Sequence, residues 1–184
     1  DKLIYVTFAT DGRDVPEELP KDEEIHSTAH TNGTKAVTNT EITDLGNRQF
    51  KFWTNFVEYC NQGGRGDDIA SRKVFAQNWY DIPVRADNFH LSFTITRSKY
   101  VALLIYAYDG EAFSRLENNK EAIESTFGDK LDWYSSRENS TAKRIIYKCE
   151  REVFNPKKQE ELVAWMIEKF DALKKALITV GEIG

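Results

Sequence analysis

Cysteine is nearly absent from this 184-residue chain. Cys60 and Cys149 are its only two, too few for a disulfide framework. Counting leaves one bridge open, but reduced thiols in a cytoplasm are the expectation. No apolar run approaches the roughly 18 residues of a membrane helix, and the opening residues lack the pattern of a secretory leader. The chain starts on Asp1 rather than Met, so Asp1 is expected to be a processing boundary and not a natural start. An excess of positive charge is missing too. Residues 1–50 carry five Lys/Arg against ten Asp/Glu, and the remaining 134 carry 20 of each. The acidity therefore belongs to the N-terminal segment. This balance excludes a generally basic nucleic-acid binder but leaves room for a local basic patch.

Aromatic residues are plentiful. Four Trp, eight Tyr and eleven Phe exclude a disordered chain, and the length suits a single domain with a real core. Leu3–Thr10 reads as a strand ending at the turn pair Asp11-Gly12. Residues 13–43 lose periodicity and read as an acidic linker, leaving 44–184 as one domain. Asp44 is placed to cap a helix in which Phe50, Trp53, Phe56, Val57 and Cys60 face inward, with Gly63-Gly64 ending it. Trp79–Ala86 reads as a strand, with Pro83 favouring an edge or bulge. Leu91, Phe93 and Ile95 alternate with polar residues, and Tyr100–Tyr108 is apolar on both faces. If Thr96 faces Tyr100, then Ile95, Phe93 and Leu91 oppose Val101, Leu103 and Ile105; a two-residue turn pairing Ile95 with Tyr100 is the alternative.

Glu111–Phe127 reads as one helix, and 131–134 with 143–151 as a second hairpin. Asn155 then caps a last helix that starts at Pro156 and carries the stripe Leu162, Met166, Phe170, Leu173 and Leu177. The expected class is α+β: an antiparallel sheet of about five strands and three packed helices. Their order is helix-strand-strand-strand-helix-strand-strand-helix, after an N-terminal strand.

Sites of known chemistry are hard to find. Gly63-Gly64-Arg65-Gly66 follows a helix rather than a strand and lacks the Lys-Ser/Thr of a phosphate loop. His26 and His30 have ligand spacing but no helix signal and no third ligand, so no metal or cofactor is expected. His90 alternates with Ser92, and Cys149 is expected to be buried; neither makes a recognisable nucleophile–base set. Glu160-Glu161 reads as a solvated helix surface. Asn32-Gly-Thr34, Asn139-Ser-Thr141 and Arg65-Gly-Asp67 match glycosylation and adhesion patterns that arise often by chance. The Asp and Glu-x-Lys strand of restriction-type nucleases is missing, and Glu117-Asn-Asn-Lys120 has the wrong spacing. The chain is expected not to be an enzyme.

Three stretches carry a resemblance. They are Arg48-Gln-Phe-Lys-Phe-Trp53-Thr-Asn-Phe; Phe113-Ser-Arg-Leu-Glu-Asn-Asn-Lys-Glu-Ala-Ile-Glu124, with Phe127-Gly128 and Leu131-Asp-Trp133; and Arg144-Ile-Ile-Tyr147 with Trp165-Met166. Together they resemble family 4268 among bacterial domains of unknown function, over about residues 47–178. The resemblance implies a place C-terminal to a nuclease-like module of the PD-(D/E)XK type, in restriction and defence contexts. It also implies that Leu3–Thr10 could be the end of that upstream module. The implied role is an accessory one, with DNA or a nuclease module as partner, no membrane contact, and a homo-oligomer left open.

One segment could touch nucleic acid. Residues 137–158 hold Arg137, Lys143, Arg144, Lys148, Arg151, Lys157 and Lys158 against Glu138, Glu150 and Glu152, an excess of four positive charges. Arg144 and Lys148 should share a strand face opposite Ile145, Tyr147 and Cys149. Tyr100, Tyr106 and Tyr108 would be stacking surfaces on an open sheet. A strand apolar on both faces is normally covered on both, however, so they are expected beneath a helix. The alternative function is a protein-interaction or dimerisation module anchored by Trp53 or Trp165.

Overall fold

A computed structural model describes residues 44–96, 100–135 and 143–184. The expected strand Leu3–Thr10, the acidic linker, His26, His30, both glycosylation patterns and Arg137 lie outside the described residues. Helix α1 (Asp44–Gln62) and the single turn α2 (Gly66–Ile69) precede the strands β1 (Trp79–Ile82), β2 (Phe89–Ile95) and β3 (Tyr100–Ala107). Helices α3 (Gly110–Asn118) and α4 (Lys120–Phe127), strands β4 (Asp132–Tyr134) and β5 (Lys143–Glu150), and helix α5 (Gln159–Thr179) complete the order. The protein is α+β, with the strands in one antiparallel sheet of order β1-β2-β3-β5-β4.

The register is the one in which Thr96 faces Tyr100. Ile95 pairs with Val101, Phe93 with Leu103 and Leu91 with Ile105. The Thr96 amide donates to the Tyr100 carbonyl at 3.0 Å, and the Tyr100 amide donates to the Thr96 hydroxyl at 3.1 Å. That register sorts the two sheet faces. Phe89, Leu91, Phe93, Ile95, Val101, Leu103, Ile105, Ala107 and Ile145 enter one large core with the buried residues of every helix. Tyr100, Ala102 and Ile146, with Leu104 and Tyr134 against them, make a second, small cluster to which no helix contributes. Among the described residues, the helices lie on one face, and none of them meets the expectation of a helix over Tyr100, Tyr106 and Tyr108. On that second face Ala102 is buried beside Tyr100 and Ile146.

The helical layer centres on aromatic edge contacts. Trp53 meets Phe52 and Phe56 edge-on at 5.0 and 5.8 Å, and Phe56 reaches Phe93 on the sheet at 5.8 Å. Each such pair adds roughly 0.5–1.5 kcal/mol beyond the area it buries. The Trp53 indole N–H donates to the Gln77 carbonyl at 2.8 Å. Phe50, expected inside, is 45% exposed, and Phe52 takes the inward position. At about 100° per residue, Phe50 lies about 120° from the centre of the stripe Phe52, Phe56 and Cys60, and so outside it. The stripe Leu162, Met166, Phe170, Leu173 and Leu177 is buried as its spacing indicates, after a 3₁₀ turn at Pro156–Lys158 capped by the Asn155 side chain.

Two local departures have clear causes. The helix expected over 111–127 breaks at Asn119, whose amide side chain donates to the Arg115 carbonyl at 3.0 Å while its backbone N–H turns to Leu116. Such local bonds compete with the helical ladder. The loop after Gly64 contains the turn α2, because Arg65 donates to Asp68 and Asp171 while Lys174 donates to Asp68. This network fastens α2 to α5 and engages the arginine of the adhesion-like tripeptide.

Glu124 pins the turn between α4 and β4. Its carboxylate accepts from the Lys130 ammonium at 2.8 Å, the Leu131 amide at 3.1 Å and the Trp133 indole at 3.0 Å. Burial alone would raise its pKa, but these donors outweigh burial and hold it down at about 2. The stabilisation is present above the unfolded-state value of about 4.5 and is lost as pH falls toward 2. Glu124→Gln is expected to lower stability at neutral pH by about 1–3 kcal/mol, the cost of weakening buried hydrogen bonds. Urea unfolding at pH 7 and pH 3 checks this: the variant should lose less stability than wild type on acidification, and equal losses would contradict it.

Both cysteines are free. Cys60 is fully buried, which pushes its thiol up to about 11, whereas Cys149 is half-buried rather than buried as expected. Alkylation without reductant should add one adduct to the native protein, at Cys149, and two after unfolding. Mass spectrometry reads both; no adduct on the unfolded chain would mean a bridge.

Candidate nucleic-acid interface

The face of the sheet away from the helices carries His90 and Ser92 from β2, Tyr106 from β3, Asp81 from β1, and Arg144 and Lys148 from β5. Strand pairing sets His90 directly across from Tyr106, with Tyr108 beyond it. The imidazole stacks on Tyr106 at 5.2 Å and 28°, and on Tyr108 at 5.4 Å and 30°. Its Nδ1 lies 3.0 Å from the Tyr108 hydroxyl, and its Nε2 lies 3.6 Å from Asp81. The tautomer that suits both neighbours carries its proton on Nε2, toward the carboxylate, and accepts the tyrosine O–H at Nδ1. Desolvation within the cluster lowers the His90 pKa and raises those of Asp81 and Tyr108; the opposite charges of Asp81 and His90 act against it. The histidine is thus neutral at neutral pH and keeps its acceptor. Tyr108 is 38% exposed, so this row of rings opens toward solvent at its end.

Two arginines act on the rings. The Arg144 guanidinium lies 5.5 Å from the Tyr106 ring centre, though Arg144 itself is buried. Arg72 is exposed, and its charge acts on Asp81, His90 and Tyr108 alike. Arg72 is anchored at its backbone: its N–H donates to the Tyr80 hydroxyl at 3.0 Å, and that hydroxyl donates back to its carbonyl at 2.8 Å.

The cations singled out in the sequence lie in three places. Lys143 is on the helix-covered side, 5.2 Å from the Phe113 ring. Arg144 and Lys148 share the opposite face as expected, with Lys148 3.8 Å from Asp132. Arg151, Lys157 and Lys158 lie past the end of β5, where Arg151 pairs with Glu161 at 3.4 Å and Lys158 with Glu152 at 2.7 Å. Lys157 is exposed. Carboxylates therefore meet Lys148, Arg151 and Lys158, which leaves little positive field for a phosphate track.

The sequence does not announce the ring cluster, because Asp81, His90 and Tyr106 sit on three different strands. His90 alternating with Ser92, and Tyr106 with Tyr108, are its only local signals. A cavity of about 530 Å³ lies between α1 and the start of α5. Arg48 and Lys51 line it alongside Glu58 and Glu160, so it favours neither sign of ligand. Among the described residues, no group of three or more His, Cys, Asp or Glu is arranged to hold a metal ion, and no helix is long and apolar enough to cross a membrane.

No curated protein and no solved structure matches the chain. The family resemblance seen in the sequence does find its match: residues 48–180 fit DUF4268, a domain of unknown function, and the chain belongs to that family.

Proposed function

We propose that this chain is a non-catalytic accessory module of a bacterial restriction- or defence-type nuclease system that contacts nucleic acid through the helix-free face of its sheet. The row His90–Tyr106–Tyr108 carries this reading through its exposed member, Tyr108, since bases stack on exposed aromatic rings whatever their sequence. The nuclease context is what the family resemblance implies. The charge distribution adds a constraint. With Lys148, Arg151 and Lys158 each beside a carboxylate, affinity must come from rings more than from phosphates. An interaction or dimerisation module has less to offer, because Trp53 is fully buried and Trp165 is stacked on Tyr147 inside the helical layer.

Fluorescence anisotropy with labelled oligonucleotides across a salt series tests the proposal. Weak, sequence-tolerant binding is expected, with a log–log salt slope between about −1 and −2, reflecting one or two phosphate contacts. Tyr108→Ala should weaken binding by about tenfold, since a stacked base is worth roughly 1–3 kcal/mol. Lys51→Ala, in the α1 cleft, should leave it within about twofold. Undetectable binding at low salt, or equal losses in the two variants, would contradict the proposal.

A further inference from the structure

Stacking on one partly exposed ring and reading a duplex are different tasks. A duplex hides the faces of its bases and is held mainly through its phosphates, so its binders carry an excess of cations. This sheet face has no such excess: Arg144 and Lys148 stand with Asp81, Asp132 and Glu150. What it has is a ring whose orientation is determined in advance. A free tyrosine turns about two side-chain torsions, and ordering it on binding costs affinity. Tyr108 is constrained on two counts, by the hydrogen bond from its hydroxyl to Nδ1 of His90 and by the stack of its ring on that imidazole. His90 is in turn set by Tyr106 on its face and by Asp81 near its Nε2. Arg72 adds an exposed cation whose charge acts on Tyr108 and is available to a phosphate.

Building on the nucleic-acid reading above, we infer that the ligand is single-stranded, that one of its bases stacks on Tyr108, and that His90 and Asp81 are positioning residues holding that ring ready. His90 acts through Tyr108 and touches no phosphate. Removing the Tyr108 hydroxyl, or the Nδ1 acceptor of His90, breaks the same bond and should have the same effect.

A double-mutant cycle on the full chain reads this coupling, with a labelled oligothymidylate and a random-sequence duplex of equal length as probes. Tyr108→Phe keeps the ring and loses the hydroxyl; His90→Phe keeps a ring in the stack and loses the acceptor. Wild type should bind the single strand at least about tenfold more tightly than the duplex, as expected if stacking dominates. Each single variant should weaken single-strand binding by roughly three- to tenfold, the range of one hydrogen bond, and the double variant by no more than either alone. Arg72→Gln should flatten the salt slope by about 0.7, the contribution of one single-strand phosphate contact. Thermal melts show whether each variant is folded; if His90→Phe is not, Tyr108→Phe decides alone.

Duplex binding as tight as single-strand binding, an unaffected Tyr108→Phe, or losses that multiply in the double variant would each overturn the inference while leaving nucleic-acid contact standing. A wild-type chain that binds neither probe would overturn both. The same holds if Tyr108→Ala instead weakens self-association, which would assign the face to a protein partner.

Discussion

Strand β3 is the element on which the rest of this fold depends. It pairs with β5 over its whole length and with β2 from Val101 to Ala107, and its alternation assigns a side to every neighbour. Val101, Leu103, Ile105 and Ala107 define the face that the helices cover, while Tyr100, Ala102, Leu104 and Tyr106 define the other. Burying each large apolar side chain on the first face contributes roughly 1.5–3 kcal/mol. A one-residue slip would exchange the two sets and bring tyrosines under α1 and α5. The bonds between Thr96 and Tyr100 hold the β2–β3 register at its turn, so the helical layer and the ring cluster share one determinant.

Electrostatics then divides the molecule into structural and available charges. Arg65, Asp68, Asp171 and Lys174 join α2 to α5, and Glu124 gathers three donors at the start of β4. Lys148, Arg151 and Lys158 each sit beside an acid, so the excess of four positive charges in residues 137–158 is a property of the sequence more than of the surface. Exposed pairs of this kind contribute little to stability, typically under about 1 kcal/mol. Their effect here is on recognition. They mute the field that would draw in a phosphate backbone, which under the proposed function leaves the rings as the principal means of contact.

Much of this was legible in the residues. Leu91, Phe93 and Ile95 set against Val101, Leu103 and Ile105 identify the central register, and the spacing from Leu162 to Leu177 identifies the buried stripe of α5. Phe50 was misplaced because it lies on the helix surface near Trp53 and Val57, while Phe52, about 160° away, is the ring that packs against Trp53 and Phe154. The break at Asn119 is invisible to periodicity, since Phe113, Leu116, Ile123 and Phe127 keep one face across it. A strand apolar on both sides usually lies between two layers, yet among the described residues the helices gather on one side and Tyr100, Ala102, Leu104 and Ile146 cluster on the other. The ring cluster depends on pairing across three strands, and no local pattern contains that.

The central claim is that the helix-free sheet face, and not the α1–α5 cleft or the basic end of β5, receives the ligand. Two-dimensional NMR of the full chain during titration with a short oligothymidylate tests it most directly. The account predicts that shift changes concentrate at His90, Ser92, Tyr106, Tyr108 and Arg72, with residues buried under α5 such as Leu162 and Phe170 unmoved. Changes gathered instead around Arg48 and Lys51, or around Lys157 and Lys158, would contradict it.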